Sequence, residues 1–156
     1  MDSKMMYNLT EKITFQLDIK PMSCPRPRVA GRFAYMPTPY LQWKSTAKTI
    51  IQRQSKQLNA APFHEKPVFI ELTFIYQRPK SLFRKKDPAE RIFKTTKPDI
   101  DNLAKAVLDA LQDSKIIKDD SQVVGLIATK WYGAKIEDKK SERNSIKIDI
   151  YPIDGE

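Results

Sequence analysis

Two short acidic motifs carry the residues whose types and spacing are suited to chemistry. Asp99 and Asp101 are separated by one residue, and Asp119 and Asp120 stand next to each other. Carboxylate oxygens are the ligands that Mg²⁺ and Mn²⁺ prefer, and such an ion polarises a phosphoryl group and activates water. Three convergent carboxylates, two from the first motif and one from the second, would therefore suit metal-dependent phosphodiester cleavage.

The first motif can serve a metal only at the start of a helix. Two residues along a helix turn through about 200°, so the two carboxylates can converge only if the chain is extended at Asp99 and helical from about Asp101. Pro98 favours such a junction. Helix capping and compensation of the helix dipole are the alternative, and the spacing leaves both interpretations open.

The second motif and a lysine complete the candidate set. The helix after Asp101 is about 17 Å long, and the eight residues that follow it can span about 26 Å. The chain can therefore return a carboxylate to the helix start, although two adjacent aspartates at a turn are otherwise turn chemistry. Lys105 lies one turn after Asp101, either in a surface ion pair or beside a metal-bound phosphate.

The elements that must position these residues follow from hydrophobic periodicity. Strands are predicted at 13–19, 67–77, about 122–132 and 144–151, and helices at 40–59 and 98–113. Residues 20–39 are rich in proline and are predicted as an extended loop, and residues 78–97 as a long polar connection. The prediction is one small α+β domain over 1–156, with its core at about 13–151, a mixed sheet and the order β-α-β-α-β-β.

The charge is divided unevenly along the chain. The net charge is +9, and residues 20–56 hold eight basic groups and no acidic one, whereas residues 98–120 carry a net −3. A basic protein of this kind suggests a polyanionic partner. With Cys24 as its one cysteine, the chain cannot form a cysteine zinc site by itself. Its one histidine, His64, has no GxSxG serine or second histidine to work with, which argues against triad hydrolases and HExxH metalloproteases. No apolar run suits a membrane span or signal peptide, so we expect a cytoplasmic protein.

The two basic segments supply candidate contacts to DNA. Four aromatic residues, Phe33, Tyr35, Phe83 and Phe93, are interleaved with the charges. Burial of each ring under its own loop is the favoured expectation, and stacking on unpaired bases is the alternative. Trp43 and Trp131 are expected in the core or at a dimer interface. The candidate phosphate contacts are Arg26, Arg28, Arg32, Lys44, Arg84, Lys85, Lys86, Arg91, Lys94 and Lys130.

The acidic motifs resemble those of a known family. KPDIDNLAKAVLDAL at 97–111, followed by DDSQVV at 119–124, resembles the RusA family of Holliday junction resolvases of bacteria and their phages. The resemblance covers roughly residues 13–151. It implies a homodimeric endodeoxyribonuclease, dependent on Mg²⁺ with Mn²⁺ as a substitute, that nicks two strands of a four-way DNA junction in recombination and repair. The family's metal-binding aspartates fall on Asp99, Asp101 and Asp120, and its catalytic lysine falls on Lys105.

Two features depart from the family pattern or stay unassigned. Family members commonly have glycine between the helix and the second motif, whereas residues 113–118 contain none. Asp109 stands at a position that the family motif shares, but the sequence assigns it no role. The favoured interpretation is a partner for a nearby lysine or a polar residue on the far side of the helix. Two alternatives remain: a non-catalytic nucleic-acid-binding module, or a nuclease acting on other branched DNA.

Overall fold

The computed structural model describes residues 12–58, 63 and 65–153. His64, the end of the predicted helix at 40–59 and the two ends of the predicted domain at 1–156 lie outside these ranges. The helices are α1 (Thr38–Gln57) and α2 (Ile100–Asp113). In chain order the strands are β1 (Ile13–Leu17), β2 (Arg28–Ala30), β3 (Phe33–Tyr35), β4 (Val68–Tyr76), β5 (Ile92–Phe93), β6 (Val123–Tyr132), β7 (Lys135–Glu137), β8 (Lys140–Ser141) and β9 (Ser145–Pro152).

The centre of the fold is a five-stranded mixed sheet in the order β1, β9, β4, β6, β5. β4 and β6 are parallel and are connected through α2, and the remaining neighbours are antiparallel. A parallel pair needs a long crossover, which the helical segment supplies. The predicted α+β class with a mixed sheet and two main helices is confirmed.

Both helices pack on one face of this sheet and bury a single core. Every second residue from Val68 to Phe74 in β4 is buried, as the strand period requires. α1 packs on α2 and β1, and α2 packs on β6. Trp43 is buried as predicted, and its indole nitrogen donates to the carbonyl of Lys20 at 2.9 Å. The helix face of the sheet therefore holds α2, and with it the first acidic motif, in a fixed position.

The predicted loops contain short elements that periodicity did not indicate. Residues 20–39 include a hairpin of β2 and β3, so the prediction of an extended loop is wrong there. The 78–97 connection contains a 3₁₀ turn at Lys80–Leu82 and the strand β5, and β7 and β8 form a further hairpin. Strands of two or three residues are too short to show alternation, because a period needs several repeats to be recognised. In the part of the chain that the structure describes, no helix is both long and apolar enough to cross a bilayer.

Candidate functional site

The first acidic motif lies at the junction between an extended segment and α2. Asp99 has φ −70° and ψ 142°, which is extended backbone, and Asp101 lies in the first helical turn. Both residues are exposed, and the Asp99 side chain makes no capping hydrogen bond. This is the backbone geometry that convergence of the two carboxylates requires. Capping by Asp99, the alternative interpretation, receives no support from its side-chain contacts.

A lysine on the neighbouring strand holds the segment that leads to Asp99. The Nζ of Lys130 in β6 donates to the carbonyl oxygens of Thr96 and Pro98, both at 2.6 Å. The backbone of Lys130 also accepts a bond from the Lys94 amide at 3.0 Å. Hydrogen bonds from a charged donor are stronger than neutral ones. The backbone directly before Asp99 is therefore fastened to the sheet by β6.

Asp109 lies two turns after Asp101 on α2 and links three elements. The Tyr40 hydroxyl donates to Asp109 Oδ2 at 2.8 Å, and the Cys24 sulfur lies 3.9 Å from the same oxygen. Lys105 Nζ lies 3.7 Å from Asp109 Oδ1. Burial, followed by the hydrogen bonds to Cys24 and Asp109, raises the pKa of Tyr40, so its hydroxyl stays a donor. The interpretation of Asp109 as a partner for a nearby lysine is confirmed, with Tyr40 as a second partner.

The second acidic motif forms a tight turn before β6. Asp119 accepts the Ser121 amide at 2.9 Å and forms a capping box with Gln122. This backbone hydrogen bond lowers the pKa of the Asp119 carboxyl. The hydrogen bond that the protonated Asp120 carboxyl donates to Asp119 is the largest cause that raises the pKa of Asp120. The charges of Lys105 and Asp109 also act on the pKa of Asp120, in opposite directions. Asp120 therefore lies within electrostatic reach of the middle of α2.

The carboxylates are suited in type to a hard divalent cation, but they lie on two separate elements, the start of α2 and the turn before β6. Within residues 12–58, 63 and 65–153 of one chain, no group of three or more His, Cys, Asp or Glu side chains is arranged to hold a metal ion. Asp99 and Asp101 share the start of α2, while Asp120 lies in the turn before β6, where the charges of Lys105 and Asp109 act on its pKa. The described part of a single chain thus does not assemble the predicted three-carboxylate site, and metal binding by these residues stays a prediction.

The candidate DNA-contacting cations fall into two groups. Five are engaged within the protein: Lys44 with Asp113, Arg84 with Asp87, Arg91 with Glu142, Lys94 with Thr96 and Tyr132, and Lys130 with two carbonyls. The other five are exposed, and they are Arg26, Arg28, Arg32, Lys85 and Lys86. The exposed group occupies the first loop with its hairpin and the segment after the 3₁₀ turn. These two surfaces are the ones most open to a polyanion.

The aromatic residues of the basic segments also differ from one another. Phe33 is 77% exposed and Tyr35 is 49% exposed, so the favoured expectation of burial is wrong for both. Phe93 is exposed to 62% but stacks on Trp131 with a centroid separation of 4.0 Å. Phe83 is half-buried, and the Arg78 guanidinium lies 5.8 Å from its ring centroid. The expectation of burial is therefore wrong for Phe93 as well, and of the four aromatic residues Phe83 alone is half-buried.

A buried arginine that sequence reasoning missed organises the second basic segment. Arg78 is only 3% exposed, and its guanidinium donates to four carbonyl oxygens. Its position directly after the buried strand β4 is a weak signal, because a basic residue there is expected in solvent. The four accepting residues are Gly133 at 3.0 Å, Leu82 at 3.1 Å, Pro88 at 2.7 Å and Glu90 at 2.6 Å.

Comparison of the chain with known proteins finds one matching family. The family described as Endodeoxyribonuclease RusA matches residues 18–150. A Bacillus subtilis (strain 168) protein named "Uncharacterized protein YqaN" is 45% identical over 71 residues, which are 42% of this chain and 49% of that protein. The chain thus matches about half the length of this curated relative. The family match extends over both acidic motifs, both helices and most of the sheet.

Proposed function

The chain belongs to the RusA family of endodeoxyribonucleases, and from this premise we propose that it resolves four-way DNA junctions by metal-dependent cleavage. The family acts on branched DNA, and its resolvases are metal-dependent nucleases. The observation that carries the proposal for this chain is the junction at α2. There an extended Asp99 and a helical Asp101 are both exposed, and Asp99 caps nothing.

We assign roles in the proposed reaction to four residues. The proposed metal ligands are Asp99, Asp101 and Asp120, which would have to draw together to share one ion, with Mg²⁺ as the proposed ion and Mn²⁺ as its substitute. When bound, such an ion polarises the phosphoryl group and lowers the pKa of a bound water. Lys105, which carries its charge on the exposed side of α2, is proposed to stabilise negative charge that develops on the phosphate.

The basic surfaces are proposed to bind the arms of the branched DNA. Acidic side chains repel phosphates, so the acidic site depends on cations nearby to hold the backbone against it. The exposed cations of the first loop and of the segment after the 3₁₀ turn are suited to this role. Arg84, Arg91 and Lys44 would first have to leave their acidic partners, which makes them secondary contacts.

We also propose a homodimer, because a four-way junction offers two equivalent strands for symmetric cleavage. Support within the chain comes from exposed apolar side chains along β6: Val124 is 61% exposed, Leu126 43% and Ile127 49%. Leu126 and Ile127 are adjacent in the strand and therefore lie on opposite faces of it, so both faces of β6 leave apolar surface that a second copy could cover. Sedimentation equilibrium should give twice the chain mass of 18.1 kDa, and a monomer at micromolar concentration contradicts this proposal.

A cleavage assay on a synthetic four-way junction tests the proposed function. The wild-type protein should nick two opposed strands in Mg²⁺ and none in EDTA. Asp101→Asn should abolish nicking while junction binding persists, because removal of a negative charge does not weaken attraction to phosphate. Asp138→Asn, an exposed aspartate in the turn between β7 and β8, is the matched control and should cleave normally.

The same assay separates the alternatives. Junction binding without metal-dependent nicks would favour the non-catalytic binding module. Forked or flapped DNA cleaved as fast as the junction at matched salt would favour a broader branched-DNA nuclease. Near wild-type cleavage by purified Asp101→Asn would overturn the assignment of the site.

A further inference from the structure

The hairpin of β2 and β3 is an exposed ribbon with two distinct faces. Arg28 pairs with Tyr35, and Ala30 pairs with Phe33. Directly paired residues of an antiparallel ladder lie side by side, and residues two apart along a strand share a face. One face therefore carries Arg28, Phe33 and Tyr35 together.

The opposite face is apolar and small. It carries Val29, which is 74% exposed, opposite Ala34. Gly31 supplies the tight turn with φ +62°, a conformation that glycine adopts without steric cost. The two faces of one hairpin thus differ in side-chain chemistry while sharing the same backbone.

Such a hairpin is costly to leave without a partner. An isolated two-stranded ribbon is marginally stable in water. Complete burial of a phenylalanine side chain is favourable, yet Phe33 leaves 77% of its surface in solvent and all six ladder residues are exposed. Within the described chain, the hairpin therefore gains little from its aromatic face.

Both ends of the hairpin segment are tied to α2. Before the hairpin, the amide of Cys24 donates to the carbonyl of Asn102 at 3.0 Å, one residue after Asp101. After it, Tyr40 donates to Asp109 at 2.8 Å. The segment that carries the aromatic face is therefore bonded, before and after the hairpin, to the helix that carries the proposed cleavage site.

The charge of the segment indicates what covers this face. Residues 20–56 hold eight basic groups and no acidic one, so a second copy of the hairpin would be repelled and a polyanion attracted. Aromatic side chains stack on nucleic-acid bases only where the bases are unstacked and accessible. Paired duplex conceals the faces of its bases, whereas a branch point can open them.

We propose that Phe33 and Tyr35 stack on unpaired bases at the branch point of DNA while Arg28 contacts a flanking phosphate. This inference rests on the proposed function, since it takes branched DNA as the substrate. It adds a structural means of distinguishing a junction from duplex DNA, which cations alone do not provide because phosphates occur in both.

Binding measurements in EDTA test the stacking without cleavage. Phe33→Ala should weaken binding to a four-way junction roughly 5- to 150-fold, the equivalent of about 1–3 kcal/mol for one stacked base. Binding to a fully paired duplex of the same sequence should change less than twofold. Val29→Ala, on the opposite face, is the matched control and should bind both DNAs like wild type, and Phe33→Tyr should restore junction binding.

The salt dependence separates stacking from phosphate contact. Arg28→Gln should reduce the slope of log affinity against log salt by about 1, whereas Phe33→Ala should leave the slope unchanged. Equal losses for junction and duplex, or no loss for Phe33→Ala, would overturn the inference. So would loss of the dimer by Phe33→Ala in sedimentation, because the hairpin would then be an interface between copies.

The proposed function is tested separately from this inference. Junction cleavage by the wild-type protein decides the activity whether or not Phe33 contributes. If wild type cleaves junctions and Phe33→Ala binds them equally well, the stacking inference fails alone. If wild type neither binds nor cleaves branched DNA, the proposed function fails first.

Discussion

Replacement of Arg78 by lysine tests whether one buried cation holds the second basic segment in place. The guanidinium makes four hydrogen bonds from three nitrogen atoms to carbonyls at 2.6–3.1 Å. Lysine keeps the charge but concentrates its donors on one nitrogen, which cannot reach acceptors spread around a planar group. The variant should therefore keep at most two of these bonds.

The magnitude follows from the bonds lost. A hydrogen bond with a charged partner contributes about 1.5–3 kcal/mol, so two lost bonds correspond to about 3–6 kcal/mol. Water can reach some of the freed carbonyls and recovers part of this loss. We expect Arg78→Lys to lower the free energy of unfolding by about 2–4 kcal/mol, a large part of the stability of a small domain.

Urea denaturation followed by circular dichroism measures this difference. Arg53→Lys is the matched control, because Arg53 is exposed on α1, and its unfolding free energy should change by less than about 0.5 kcal/mol. The denaturant slope should stay the same in both variants if the transition remains two-state. A loss below about 1 kcal/mol for Arg78→Lys would refute the reasoning.

Two further predictions concern the site and the pH dependence of stability. Lys130→Met should reduce the rate of junction cleavage, because the Lys130 Nζ holds two carbonyls of the segment before Asp99. The junction affinity and the slope of log affinity against log salt should stay unchanged. A slope reduced by about 1 would instead identify Lys130 as a phosphate contact. The hydrogen bonds from Arg91 hold the pKa of Glu142 at about 2, below its ordinary value of 4.5. The unfolded chain therefore binds the proton more readily than the folded one. The contribution of this carboxylate to the free energy of unfolding is present above about pH 4.5 and is lost as the pH falls toward 2. The stability difference between wild type and Glu142→Gln should shrink over this range in acid titrations of unfolding, and a constant difference would contradict the assignment.

Much of the fold followed from hydrophobic periodicity. The predicted strand at 67–77 is β4 at Val68–Tyr76, and the predicted helix at 98–113 is α2 at Ile100–Asp113. Long elements bury many side chains at one period, so their pattern is strong. The hairpin of β2 and β3 was missed, because six residues with all side chains exposed leave no pattern of burial to detect.

The site was predicted in its local geometry more than in its assembly. The spacing of the two aspartates left helix capping and an extended segment entering a helix both open, and the structure has extended backbone at Asp99 with no capping hydrogen bond from its side chain. The sequence spacing offered Asp101 as an ion-pair partner for Lys105, whereas in the structure the ion pair of Lys105 is with Asp109. Helical spacing permits both pairs, and only the position of the Tyr40 hydroxyl on α1 explains how Asp109 is held.

The class of the fold, the acidic motifs and the basic segments around them were all predictable from the amino-acid sequence. These properties depend on residue type and short spacing, which the chain carries without reference to distant contacts. The burial of Arg78, the bonds from Lys130 to the segment before Asp99 and the exposure of Phe33 were not predictable in this way and follow from the folded chain. The reason is physical: the role of a charged or aromatic side chain depends on the burial and hydrogen bonding that residues far along the chain provide.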